Sequence, residues 1–142
     1  MRNWPRAGLL FSCFRDRADN PFFAEVARLL PAPPMPGDPH EPGPFAFADA
    51  VRVDAILNAA GWREVKFEPY DFAMVAGSGD DPVEDAVGYF SRIGPAARAL
   101  AELEPDERAR FADRVRALAE RNLYDGIVSL RAAAWIVTGR KA

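Results

Sequence analysis

Residues 7–14, AGLLFSCF, constrain the fold more than any other stretch of this chain. No polar alternation appears before Arg15, and a short run apolar on both faces of the pleat reads as a strand covered on both sides in a parallel or mixed sheet. Such strands normally lie inside a sheet, yet only six residues precede this one. Its other neighbours must therefore come from later in the chain, and one edge is expected to stay open.

The rest of the chain supplies few strands. Asn20 and Pro21 signal the start of a helix over Pro21–Leu30, with Phe22, Val26, Leu29 and Leu30 on one face. Residues 31–44 hold seven prolines and two glycines, so few amide donors remain and a loop in extended conformation is expected. Asp49 caps a second helix whose Val53, Ile56, Leu57 and Ala60 share a face, and Gly61 is placed for a left-handed end. Residues 62–75 alternate as a strand, with a bulge or bend expected near an edge at Pro69. A GSGDD hinge follows, then a helical insertion over 82–122. It opens on a capping box of Asp81 and Glu84, breaks at Gly94-Pro95 before a further helical piece over Ala96–Leu103, and continues from Pro105 with Phe111, Val115 and Leu118 inward. The arginines of that last helix, among them Arg108, Arg114, Arg116 and Arg121, read as a solvated face. Residues 127–141 end in a strand-like segment over 134–138.

A length of 142 residues suits a single domain spanning 1–142. A net charge of −3 argues against nucleic acid as the main partner. No apolar run is long enough to cross a membrane, and no signal peptide is visible, so the cytoplasm is expected. The lone Cys13 excludes an intrachain disulfide and a thiolate metal cluster, and reads as a packing residue. The lone His40 reads as a solvated loop residue. Asp80 and Asp81 read as part of a helix start rather than a cation site.

Three segments together resemble a family. RAGLLFSCFRDRADNPFF is similar to the fifth strand and following turn of class I S-adenosylmethionine-dependent methyltransferases of the small-molecule, quinone-biosynthesis-like type. GPFAFADAVRVDAILNAAGWREVKFEP resembles the helix and sixth strand after it, with the AGW turn its most specific piece. AAAWIVTGRK resembles the closing strand. The segments occur in the family's order and cover nearly the whole chain.

The resemblance implies an α/β fold, the C-terminal half of a Rossmann-like methyltransferase sheet. About three strands of a seven-stranded sheet are present, with a helical insertion before the last, antiparallel one. The family's glycine-rich loop, acidic residue and polar segment belong to the other half, and none has a counterpart here. Gly77-Ser78-Gly79 lacks the third glycine and the helix-start context of a dinucleotide loop. No cofactor-binding, catalytic or metal-binding residue is therefore assigned, and S-adenosylmethionine is not expected to bind this chain alone. The family's acceptor pocket lies at the turn after the fifth strand and the loop before the next helix. That implies a substrate role for Asn20, Phe22, Phe23, Phe45 and Phe47, with helix capping and core packing as the competing roles.

The expected function is thus part of a methyltransferase for a small-molecule acceptor, inactive by itself. The alternatives are a non-catalytic binding or dimerisation module, or one chain of a split enzyme. The open strand edge implies a homo-oligomer, or a second chain that supplies the missing half of the sheet.

Overall fold

The computed structural model describes residues 7–32, 35 and 37–141. The elements follow in the order β1 (Gly8–Phe14), a 3-10 turn (Arg17–Asp19), α1 (Pro21–Arg28), α2 (Ala50–Ala59), β2 (Trp62–Gly77), α3 (Pro82–Arg92), α4 (Gly94–Glu102), α5 (Pro105–Arg121), β3 (Leu123–Tyr124) and β4 (Ile127–Lys141). Five α-helices thus accompany one four-stranded sheet of order β1-β4-β2, with β3 paired to the start of β4. β4 runs antiparallel to β1, from Phe14↔Ala134 to Gly8↔Arg140, and antiparallel to β3.

The chain divides into two compact units. One comprises the described residues of 7–19, 37–71 and 133–141, and the other those of 20–36 and 72–132. In the first, β1 and the far end of β4 pair, and α2 packs through Val53, which is 1% exposed. Asp49 caps α2 by accepting hydrogen bonds from the N–H groups of Val51 and Arg52, at 3.1 and 3.3 Å. Gly61 beyond its end adopts φ +90°, the left-handed conformation expected there. Only Val53 of the expected apolar face is fully buried. Leu57 is half-buried, while Ile56 and Ala60 are exposed.

β1 departs from the expectation of two covered faces. Leu9, Phe11 and Cys13 are half-buried, whereas Leu10 and Ser12 are exposed, Leu10 by 72%. Among the described residues β4 is the strand beside β1, which places β1 at an edge, and separately one of its faces, that of Leu10 and Ser12, is left open. β2 also departs, since it runs unbroken through Pro69. An edge strand needs a ladder on one side only, so a residue without an N–H is tolerated there. The left-handed residue of that strand is Glu64 instead, at φ 52°.

The second unit is the helical insertion with α1, the end of β2 and the start of β4. α3, α4 and α5 fall where the sequence places them. Their buried faces, Ala86, Val87 and Phe90, Ala96, and Phe111, Val115 and Leu118, close on Phe22, Val26 and Leu30 around α1. Glu84 donates its N–H to Asp81 at 3.1 Å, one half of the expected capping box. The Glu84 carboxylate binds Arg116 instead. Arg108 donates to Leu103 O at 2.9 Å and Arg114 to Leu29 O at 2.8 Å, so these arginines fasten loop carbonyls as well as facing solvent. Asp125 and Gly126, both at positive φ, form the two-residue turn between β3 and β4.

Two loops differ in kind from their sequence reading. The described part of 31–44 is bends and turns, fastened by Asp38, which accepts from His40 N–H at 2.9 Å and, through its carbonyl, from Glu41 N–H at 3.1 Å. Pro33, Pro34 and Pro36 lie outside the described residues. The GSGDD segment is a pinned turn rather than a hinge. Ser78 donates its N–H to Asp85 at 3.0 Å, and Gly77 lies directly beneath the first turn of α3.

Candidate functional site

The carboxyl end of β1 gathers the chemistry of the first unit. Beyond Phe14 the ladder continues for one residue, Arg15 N–H donating to Ala133 O at 2.9 Å. This fixes the Arg15 side chain above the sheet, where only 18% of it is exposed. Its Nη1 lies 2.7 Å from Asp71 Oδ1, its Nη2 lies 3.9 Å from Asp19 Oδ2, and its guanidinium carbon stands 5.5 Å from the Trp135 ring centroid. A guanidinium flanked by carboxylate and indole is held in one orientation by both charge and ring face.

The aromatic wall comes from the loop before α2. Phe45 packs on Phe14 with centroids 5.7 Å apart, and Phe47 on Phe11 at 6.3 Å. Arg17 stands 5.3 Å from the Phe45 ring centroid. Three hydrogen bonds anchor this loop: Trp135 Nε1–H to Ala48 O at 2.9 Å, Arg52 Nη1 to Ala46 O at 2.9 Å, and Cys13 Sγ to Phe47 O at 3.5 Å. Phe67 meets Trp135 edge-on at 6.0 Å, so the indole is packed as well as bonded. Phe47 remains 41% exposed, which leaves part of the wall open to a ligand.

Burial pushes the Cys13 thiol above its ordinary value, the opposite of an activated nucleophile. His40 Nε2 lies 3.5 Å from Asp49 Oδ2, but Asp49 is occupied as the helix cap. The Arg52 N–H, foremost, and His40 hold its carboxyl below the usual carboxylate range. No group of three or more metal-ligating side chains occurs among the described residues. Cationic and aromatic surfaces side by side suit a flat, electron-rich or anionic small molecule.

The five residues assigned from the resemblance fall into both units. Phe45 and Phe47 belong to the wall just described. Asn20, Phe22 and Phe23 belong to the helical unit. Asn20 is 1% exposed, and its carbonyl accepts from the N–H groups of Phe23 and Ala24, both at 3.0 Å. Phe22 is 7% exposed and packs on Tyr89 and Phe90, with centroids at 5.9 and 5.4 Å. Phe23 covers Gly94, where an added Cβ would stand 3.2 Å from its ring. A cavity of about 20 Å³ beside Phe22, Phe23 and Phe90 is too small for an organic ligand.

Arg15, Arg17, Asp71 and Trp135 were not singled out from the sequence. Arg15 and Arg17 carry a local signal, two cations just past a strand end. Asp71 and Trp135 lie 56 and 120 residues from Arg15 and carry none. The Gly77-Ser78-Gly79 turn is a poor phosphate cradle on its geometry. The space at Gly77 is filled by Pro82 O, and the Ser78 N–H faces the Asp85 carboxylate where an anion would have to sit. No family model and no curated protein matches the chain.

Proposed function

We propose that this chain is the acceptor-side part of an S-adenosylmethionine-dependent methyltransferase acting on a flat small molecule, with the cofactor held by residues outside these 142. The observation that carries the reading is the place of β4. It is the closing strand, antiparallel, inserted between β1 and β2, and it follows the order of the three segments that resemble the family. The aromatic loop Phe45–Phe47 stands at the carboxyl end of β1, where open α/β sheets take their ligands.

S-adenosylmethionine supplies an electrophilic methyl group, but the residues described here do not fit it: they offer no glycine-rich cradle and no carboxylate placed for a ribose. What they offer is orientation. Phe45 and Phe47 stack a ring, Arg17 attracts an anionic or electron-rich edge, and Arg15, fixed by Asp71, sets the floor. Methyl transfer depends chiefly on holding nucleophile and methyl in line, so a positioning surface without a catalytic cluster is sufficient for the acceptor side.

The experiment has two parts. Phenolic and quinone-type ring compounds are titrated while tryptophan fluorescence is followed. Saturable quenching that is lost in Phe45→Ala and Trp135→Phe is expected. Thermal shift of the same chain with S-adenosylmethionine should be flat, and saturable cofactor binding would overturn the division of labour. DNA adjoining the gene, read in all frames, should encode the glycine-rich strand and loop. Unrelated sequence there would count decisively against the methyltransferase assignment.

A further inference from the structure

We propose that the groove between the ends of α1 and α5 is a binding site for a small dicarboxylate that carries an amine, the chemistry of a free acidic amino acid. Its walls are Glu25, Arg28 and Leu29 from the end of α1, and Leu118, Arg121 and Asn122 from the end of α5. Each set is spaced i, i+3, i+4, so each stands on a single helix face. The space they enclose is about 420 Å³, within the range of small-molecule sites. All six residues belong to the helical unit.

Three of these side chains are charged and have no partner of their own. Among the described residues Glu25, Arg28 and Arg121 make no side-chain hydrogen bond and no ion pair. Glu25 and Arg28 are spaced as a pair that a helix readily closes, yet the pair stays open. No aspartate or glutamate stands among the residues outside the described ones, so no side-chain carboxylate of the chain pairs with either arginine. A cation in the last turn of a helix interacts favourably with the helix dipole, which accounts for part of the placing of Arg28 and Arg121. It does not account for Glu25, a half-buried carboxylate close to the same negative helix end. Nor are the two arginines used on the terminal carbonyls. Arg114 Nη1 donates to Leu29 O at 2.8 Å and Asn122 Nδ2 to Leu118 O at 2.9 Å, which leaves the guanidinium donors of Arg28 and Arg121 unspent.

The count of charges selects the ligand. Two guanidinium groups suit two carboxylates, each accepting a forked pair of hydrogen bonds, and Glu25 suits one ammonium. Asn122, whose nitrogen is taken by Leu118 O, keeps Oδ1 as a further acceptor for that ammonium. Leu29 supplies apolar surface for the methylenes between the charges. A lining of net charge +1 thereby meets a ligand of net charge −1. A plain dicarboxylate would leave Glu25 facing like charge, and an amino acid with an apolar side chain would leave one arginine unmatched. The inference is independent of the methyltransferase reading, since none of these residues belongs to the wall at Phe45 and Phe47.

The test is titration calorimetry of the 142-residue chain at low salt with L-aspartate, L-glutamate, glutarate, which lacks the amine, and L-norvaline, which lacks the second carboxylate. At least one acidic amino acid is expected to bind saturably with a Kd of about 1 mM or tighter, and glutarate and norvaline at least about tenfold more weakly. Arg28→Gln and Arg121→Gln are each expected to lower that affinity at least about tenfold with an unchanged far-ultraviolet spectrum, since both side chains are exposed and unpaired. Glu25→Gln is expected to bring glutarate to within about threefold of glutamate, because it removes the group that tells them apart. The comparison of the four ligands on the wild-type chain needs no variant and decides alone should a variant fail to fold. Absence of saturable binding by both acidic amino acids, glutarate or norvaline binding as tightly as they do, affinity unmoved in both arginine variants, or a preference for the amine that survives Glu25→Gln would each overturn the proposal.

Discussion

Gly77→Ala is expected to be among the most damaging single-methyl changes in the chain. A Cβ built on Gly77 lies 1.9 Å from Pro82 O, 2.9 Å from Ala86 N and 3.0 Å from Ala86 Cβ. An ordinary carbon–oxygen contact is about 3.3 Å, so the first turn of α3 would have to retreat by more than about 1 Å. That turn has little freedom to move. It is capped by Asp81, tied back through Asp85 to Ser78 N–H, and followed by Ala86, Val87 and Phe90, all in the core. Overpacking against a side chain costs about 1–3 kcal/mol, and because the obstacle here is backbone the upper end applies, about 3 kcal/mol. For a chain of this length that lowers Tm by about 10 °C. Gly8→Ala is the matched control, because nothing lies within 4 Å of its Cβ. Calorimetric melting of both variants is the assay. A Gly77→Ala midpoint within 2 °C of wild type, on a scale where 1 kcal/mol is about 3–4 °C, would refute the close-approach argument.

Two further predictions concern the first unit and the ion pairs. Trp135→Phe keeps a ring against Phe67 but removes the donor to Ala48 O, leaving that part-buried carbonyl unpaired. A loss of about 1–2 kcal/mol, read as a Tm lower by about 3–8 °C, is expected, and an unchanged melt would mean the loop holding Phe47 is anchored elsewhere. Hydrogen bonding to Arg116 lowers the Glu84 carboxyl, and Arg52 N–H lowers that of Asp49. Because both are depressed in the folded chain, their stabilising contribution is complete above the ordinary carboxylate range of about 4 and disappears as pH falls through the depressed values. Tm should therefore be level near neutrality and fall below about pH 4.5, and Glu84→Gln with Asp49→Asn should flatten that fall. An acid slope identical to wild type in the double variant would show that other carboxylates govern it.

The helices were largely legible because their signals are local. Proline or a capping acid at the start and an apolar face at three- and four-residue spacing were enough for α3 and α5, whose ends follow Pro82 and Pro105 closely. The β3–β4 hairpin also has a local signal, Asp125-Gly126 between apolar residues, but the longer apolar strand that follows dominates the pattern there. The wall at Phe45 and Phe47 was reached through resemblance. Its partners were not: the Arg15–Asp71 pair joins residues 56 positions apart, and nothing in either neighbourhood encodes the meeting.

The glycine of the GSGDD segment shows how composition misleads about mobility. Glycine and serine clusters indicate a backbone free of side-chain restraint, and a flexible hinge is one use of that freedom. Close approach is the other, and at Gly77 the missing Cβ lets a helix start almost on top of the strand end. β1 shows the same ambiguity for hydrophobicity. Residues apolar on both faces imply burial on both faces, but they do not say whether this chain, another segment or a second copy does the covering. Among the described residues Leu10 stays 72% exposed and no strand lies on the outer side of β1, so apolar composition alone does not fix how far each face is covered.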